Sequence, residues 1–168
     1  MALDNATPPA STPSPVLRAA GEGRQLRVIT DLVTIKATER DTGETFCLFE
    51  RETPPEGGVP THTQRYEDET FYVLEGRYAF LIGEQLTELG PGGYAYVPRG
   101  TPHGYTNIGD AAARLLVFVT PGGVQEQFVD EIGDDPARPA WQPNMAKVLA
   151  VAAKYGVEFE RAEDARKH

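Results

Sequence analysis

An all-β fold, an antiparallel barrel or sandwich, is what this sequence predicts. Three observations carry that expectation. Between Leu26 and Thr120, short runs rich in β-branched and aromatic residues follow one another. Each run closes on turn-forming residues, chiefly Gly, Pro, Asn and Asp. Helical periodicity begins only after Pro121, so the crossover helices of a βαβ fold have no place in the strand region.

The elements follow in order. Residues 26–37 read as one or two strands, and Asp41-Thr42-Gly43 as a turn, because glycine tolerates positive φ. Residues 46–50 form a strand and Pro54-Pro55-Glu56-Gly57-Gly58 a loop. Residues 59–63 and 69–74 are strands, and Glu75-Gly76 turns the chain into 77–82. Gly83-Glu84 is a hairpin signal leading into 85–89. Gly90-Pro91-Gly92-Gly93 breaks the chain before 94–97, and 104–107 and 114–120 complete the set. Beyond Pro121-Gly122-Gly123, Val124, Phe128 and Ile132 recur at helical spacing and predict a short helix. A second helix follows, with Asn144 as its cap, Met145, Val148, Leu149 and Ala152 as an apolar stripe that packs on the core, and Gly156 beyond its end. The first fifteen residues hold Pro8, Pro9, Pro13 and Pro15 among small polar residues and bury little apolar area. The organisation expected is a mobile arm over 1–20, a barrel over 21–135, and a helix with a charged, solvated tail over 136–168. His168, at the end of that tail, is given no role.

Composition narrows the function. Sixteen basic residues stand against 25 acidic ones, a net charge of −9. That charge repels phosphate backbones and anionic lipid, so neither nucleic acid nor membrane is an expected partner. The apolar run from Val148 to Ala153 is far too short to span a bilayer. The one cysteine, Cys47, excludes an internal disulfide framework and reads as a buried, inert thiol. The residues after Met1 carry no basic region or long apolar stretch, so no secretory signal is legible and a cytoplasmic location is the default expectation.

Two of the three histidines lie in the strand region. His62 stands in Pro60-Thr61-His62-Thr63-Gln64, Glu69 follows seven residues on, and His103 ends Pro98-Arg99-Gly100-Thr101-Pro102-His103. Side chains two apart on a strand share a face, so His62 and Gln64 can point into one interior. Glu69 opens the next strand and can return to the same level, and His103 arrives from a later hairpin. Imidazole nitrogens with a carboxylate oxygen suit a divalent transition metal (Fe, Ni, Mn, Co or Zn) better than Ca or Mg. Taken one at a time, each has a plainer reading: a hydrogen-bonded core histidine, or a surface carboxylate at a strand end. The spacing of the set favours the metal. Phe71, on the face of Glu69, and Tyr105, on the face of His103, are candidate substrate-pocket walls, with plain barrel core as the alternative. Arg99 and Arg114 read as surface or turn residues, and Asn107 as the brace of a turn.

These residues carry a family resemblance. The stretch from Gly57 to Gly76 resembles the first cupin motif, with His62, Glu69 and Gly76 in place. The stretch from Gly92 to Asn107 resembles the second, with Gly92, Pro98, Gly100, His103 and Asn107 at the motif's offsets. The wording from Tyr66 to Gly76 is similar to that of small single-domain cupins described as quercetin-dioxygenase-like. The resemblance covers roughly residues 32–131. It implies a double-stranded β-helix, the jelly-roll barrel, and usually a homodimer, for which Tyr72 and Leu74 would face outward. One departure matters: Gln64 stands where the motif has its second histidine. A neutral amide is a weaker ligand for a first-row metal; it can coordinate, hold a metal-bound water, or mark a barrel without metal.

The function implied is a metal-dependent oxidoreductase of the dioxygenase type acting on a small oxygenated aromatic or enol, with Glu69 as ligand or general base. The alternatives are a redox-silent metal isomerase, epimerase or cyclase, and a non-catalytic small-ligand-binding cupin, which Gln64 favours. One fold hosts many functions, so the substrate class rests on the resemblance.

Overall fold

The computed structural model describes residues 12–160. Most of the expected N-terminal arm, and all of the tail beyond Glu160 including His168, lie outside them. Eleven strands are present among the described residues: β1 (Arg24–Val28), β2 (Asp31–Ala37), β3 (Cys47–Thr53), β4 (Gly58–Gln64), β5 (Asp68–Glu75), β6 (Tyr78–Ile82), β7 (Gln85–Leu89), β8 (Tyr94–Val97), β9 (His103–Asn107), β10 (Ala113–Thr120) and β11 (Val157–Phe159). They form two antiparallel sheets, one of order β1-β2-β3-β10-β5-β8 and one of order β11-β4-β9-β6-β7. Consecutive strands alternate between the sheets over most of the chain, which is the double-stranded β-helix. Three α-helices accompany them, α1 (Glu39–Thr42), α2 (Val124–Ile132) and α3 (Met145–Ala152), with a 3-10 turn over Ala153–Tyr155. None is long and apolar enough to cross a membrane.

Period-two burial explains why the strands pack as they do. Cys47, Phe49, Arg51 and Thr53 of β3 face inward, as do Glu69, Phe71 and Val73 of β5 and Ala113, Leu115, Val117 and Val119 of β10. Inward rings of Phe71, Tyr78, Phe80 and Tyr105 meet edge-on or tilted at centroid distances of 5.3–5.9 Å. Cys47 is fully buried, and burial pushes its thiol far above the usual range, in keeping with an inert core residue.

Local signals account for most boundaries. Gly76 turns β5 into β6 at φ 80°, and a Cβ there would fall 2.4 Å from Cβ of Ala113, so only glycine fits. Asn107 donates to the carbonyls of Thr53 and Ala111 and accepts from the Gly109 N–H, bracing the turn after β9. The predicted turn at Asp41-Thr42-Gly43 is a single helical turn, α1, because Thr38 and Asp41 form a reciprocal capping box and Gly43 ends the turn at φ 63°. Asn144 caps α3 through the Lys147 N–H. The C-terminal segment then does something that the periodicity did not predict. After Gly156 the chain returns to the barrel as β11 and pairs with β4, Val157 opposite Gln64 and Phe159 opposite His62.

Candidate metal centre

His62 and Gln64 come from β4, Glu69 from β5 and His103 from β9. A regular β4 could not present them as it does. Val59 and His62 both point inward, although three residues apart on a strand should face opposite ways. The register between β4 and β9 shifts between Val59 and His62, and this irregularity returns the histidine to the interior opposite His103. Gly104 permits the close approach of the two strands, since a Cβ there would lie 2.8 Å from the Val59 carbonyl oxygen.

Each imidazole is oriented by the backbone. His62 Nδ1 lies 3.0 Å from the Pro60 carbonyl oxygen, and His103 Nδ1 lies 2.9 Å from that of Thr101. A carbonyl only accepts, so both Nδ1 atoms carry the proton and both Nε2 atoms face the cluster. Carbonyl partners of this kind fix the tautomer of metal-binding histidines. Glu69 Oε2 stands 2.7 Å from His103 Nε2 and 3.9 Å from His62 Nε2. One potential ligand atom from each of the three residues lies within 4.8 Å of the others.

The electrostatics are those of a buried site. Burial, with the neighbouring His103, lowers His62 to about 4, so it stays a neutral donor at ordinary pH. Burial would raise Glu69, but the hydrogen bond and charge of His103, with the charges of His62 and Arg51, outweigh it and hold the carboxyl at about 2. His103 moves the other way: burial lowers it, and Glu69 more than restores it, so its value is raised. Each partner thus favours the charged form of the other, and a cation can stand between His103 Nε2 and Glu69 Oε2. Gln64 is 4% exposed, and neither its amide nitrogen nor its amide oxygen has a hydrogen-bond partner. A buried, unpaired polar group costs about 1–3 kcal/mol, so Gln64 is built for a partner. Two oriented imidazoles, an ionised carboxylate and an orphan amide fit a divalent cation.

Tyr105 lines the same cavity as His62 and Glu69, whereas Phe71 sits behind them, its ring 6.0 Å from that of His103. Several neighbours escaped the sequence reading. Arg51 lines the cavity, paired with the fully buried Asp31. Its signal was a charged residue at the inward phase of an apolar strand. Gln125, Phe128, Val129 and Ile132 of α2 line the cavity as well, and Phe159 stacks on His62 at 5.4 Å.

α2 itself is held from below. It has no capping side chain of its own, and the buried Glu67 accepts from its first two backbone N–H groups, of Val124 and Gln125, at 3.0 and 2.7 Å. Burial raises Glu67 to about 7; the two N–H bonds pull it back, and Glu69 and Glu39 add to the rise. A carboxyl raised by folding binds its proton more tightly in the folded than in the unfolded state. Its contribution to stability is present below the ordinary glutamate value and is lost as pH rises through about 7. Urea unfolding of metal-free protein should thus show lower stability at pH 8 than at pH 5, with a smaller difference in Glu67→Gln. Glu67→Ala should cost about 1–2 kcal/mol at pH 5 through the lost cap. An unchanged pH difference in Glu67→Gln would assign it to another group.

A two-sheet antiparallel β-fold that buries two imidazoles, a carboxylate and an amide on its inward strand faces belongs to the class of barrels able to hold a metal or small ligand inside. Residues 49–119 match the Cupin domain family, and this part of the chain is a cupin domain. It is 32% identical over 120 residues to quercetin 2,3-dioxygenase of Bacillus subtilis, a match that takes in 71% of this chain. The chain spans 35% of that relative's length. Among solved structures, an RmlC-like cupin from Shewanella frigidimarina superposes with a TM-score of 0.59 at 15% identity, over 69% of this chain and 97% of that one. The polyketide cyclase RemF from Streptomyces resistomycificus superposes with a TM-score of 0.50 at 28% identity, over 58% of this chain and 69% of that one.

Proposed function

We propose that this cupin is a metal-dependent enzyme of the dioxygenase type, acting on a small oxygenated aromatic or enol. His62, Glu69 and His103 hold one divalent ion, with Gln64 as a fourth donor or as the partner of a bound water. The observation that carries this reading is the convergence of two backbone-oriented Nε2 atoms and one carboxylate, with a buried amide without partners on the same inward face of β4 as His62. The similarity to quercetin 2,3-dioxygenase supports the substrate class. A bound Fe, Ni, Mn, Co or Zn ion would supply Lewis acidity and a template for substrate oxygens.

The chain's residues divide the remaining work. Glu69 serves as a ligand while its carboxylate stays ionised against His103. To act as general base towards a substrate hydroxyl it must leave that hydrogen bond, which is what holds its proton affinity down. Tyr105 offers its ring as a wall, because its hydroxyl is committed to Asp31. Phe159 and α2 keep water from the site.

Elemental analysis of untagged protein, followed by oxygen uptake with quercetin as probe, tests the reading. One ion per chain and metal-dependent uptake are the expected results. No bound ion, or no uptake with any of the five metals, would count against it. A second reading, a redox-silent isomerase or cyclase in which Glu69 moves a proton, has the likeness to the polyketide cyclase in its favour. It predicts turnover with Zn and no oxygen consumption.

Gln64→His is expected to tighten metal binding, since imidazole suits first-row metals better than an amide. A gain of about tenfold in a chelator competition at fixed pH is the scale of one improved interaction. Equal affinity would mean that Gln64 does not touch the ion.

The reading includes a homodimer. Tyr72 and Tyr94 are register partners on β5 and β8, and with Tyr96 they are 43%, 61% and 51% exposed, an aromatic patch of the kind that interfaces bury. Light scattering at micromolar concentration should give twice the 18.3 kDa chain mass, and a monomeric mass would remove the dimer.

A further inference from the structure

The cavity wall contains a cation that the proposed metal chemistry does not use. Arg51 is 4% exposed and lines the cavity together with His62, Glu69 and Tyr105. One side of its guanidinium is committed. Nη1 stands 3.5 Å from Asp31 Oδ2 and donates to the Tyr105 hydroxyl at 3.3 Å, and that hydroxyl donates to the same Asp31 oxygen. The other side is not: the Nε–H is buried and has no acceptor. The fully buried Phe49 lies against the group, its ring centre 6.0 Å from the guanidinium carbon. A rigid, buried donor facing no acceptor is a position for a ligand oxygen, and a guanidinium is the group best suited to an oxyanion.

Formal charges agree: Arg51 offsets Asp31, and a divalent ion held by one carboxylate and two imidazoles keeps one positive charge, which a monoanion would cancel. We propose that Arg51 reads the substrate's charge: its Nε–H donates to an oxyanion, so the site selects small monoanionic oxygen ligands, carboxylates or enolates, over neutral molecules of the same shape. This deepens the function proposed above and rests on it for the identity of the bound class, whereas the Nε–H contact stands without the metal.

The test follows the Arg51 Nε–H resonance by NMR in metal-free and Zn-loaded protein, titrated with acetate and with its neutral isostere acetamide. Acetate is expected to shift the resonance and to bind at least about tenfold tighter than acetamide. Arg51→Met alone would strand Asp31, so the comparison variant is Arg51→Met with Asp31→Asn, which removes both charges together. There the preference should fall to within about twofold. Arg51→Lys, which keeps the charge and lacks the Nε donor, should also lose most of it. A preference that survives in the double variant would overturn the proposal and leave the metal reading standing. Failure of Zn to bind wild type would overturn the metal reading, and the metal-free titration would still judge Arg51. No shift with acetate in either state would overturn the proposal outright, and that wild-type result needs no variant to fold.

Discussion

His103→Ala is expected to abolish the proposed stoichiometric metal binding, with affinity falling by more than the roughly 10–100-fold typical for loss of an outer-shell partner. The imidazole is fixed from both ends, by the Thr101 carbonyl at Nδ1 and by Glu69 at Nε2, and its ring stands 4.4 Å from that of His62. Alanine removes one donor directly. It also removes the largest influence that keeps Glu69 ionised against burial, so the carboxyl rises and becomes a poorer donor at neutral pH. One substitution would thus weaken two of the three proposed ligands. Metal content after dialysis, with circular dichroism to confirm that the barrel persists, checks this. A folded His103→Ala protein that retains one ion per chain would move the metal elsewhere.

Asp31→Ala should destabilise the protein by about 3–5 kcal/mol, the usual cost of breaking a buried ion pair from one side. Asp31 is fully buried. Burial pushes its carboxyl up, and the Arg51 charge with hydrogen bonds from Tyr105, Thr53 and Arg51 pulls it part of the way back. Without it, Arg51 keeps its charge inside the barrel and the Tyr105 hydroxyl loses its acceptor. Asp31→Asn leaves an acceptor for Tyr105 and should cost less. Urea denaturation at pH 7 reads both. A loss under about 1 kcal/mol for alanine would show that Glu69 suffices to balance Arg51.

Much of the architecture was legible because its signals are local. Alternating burial in β3, β5 and β10, the glycine turns at Gly76 and Gly83, the Asn144 cap and the helical spacing of Val124, Phe128 and Ile132 each depend on a few neighbouring residues. The one-turn helix at Glu39–Thr42 was read as a turn because a capping box and a turn use the same residues. His62, Glu69 and His103 could be singled out since only two histidines occur in the strand region and the spacing of the set is distinctive.

What the sequence by itself determined is therefore the fold class, the order of the strands up to β10 and of α2 and α3, and a short list of metal-capable side chains. The tertiary structure decided how they meet. A register shift in β4 turns His62 inward, and it is visible only against β9. Asp31 and Arg51 are 20 residues apart and Arg51 and Tyr105 are 54 apart, so their buried network has no local signature. Phe159 reaches His62 because β11 adds to β4, and Glu67 holds α2 from 57 residues away. Periodicity and turn chemistry report on residues that are neighbours along the chain. A site inside a barrel is made by residues brought together when the sheets close, and only that closure sets which charges face each other away from water.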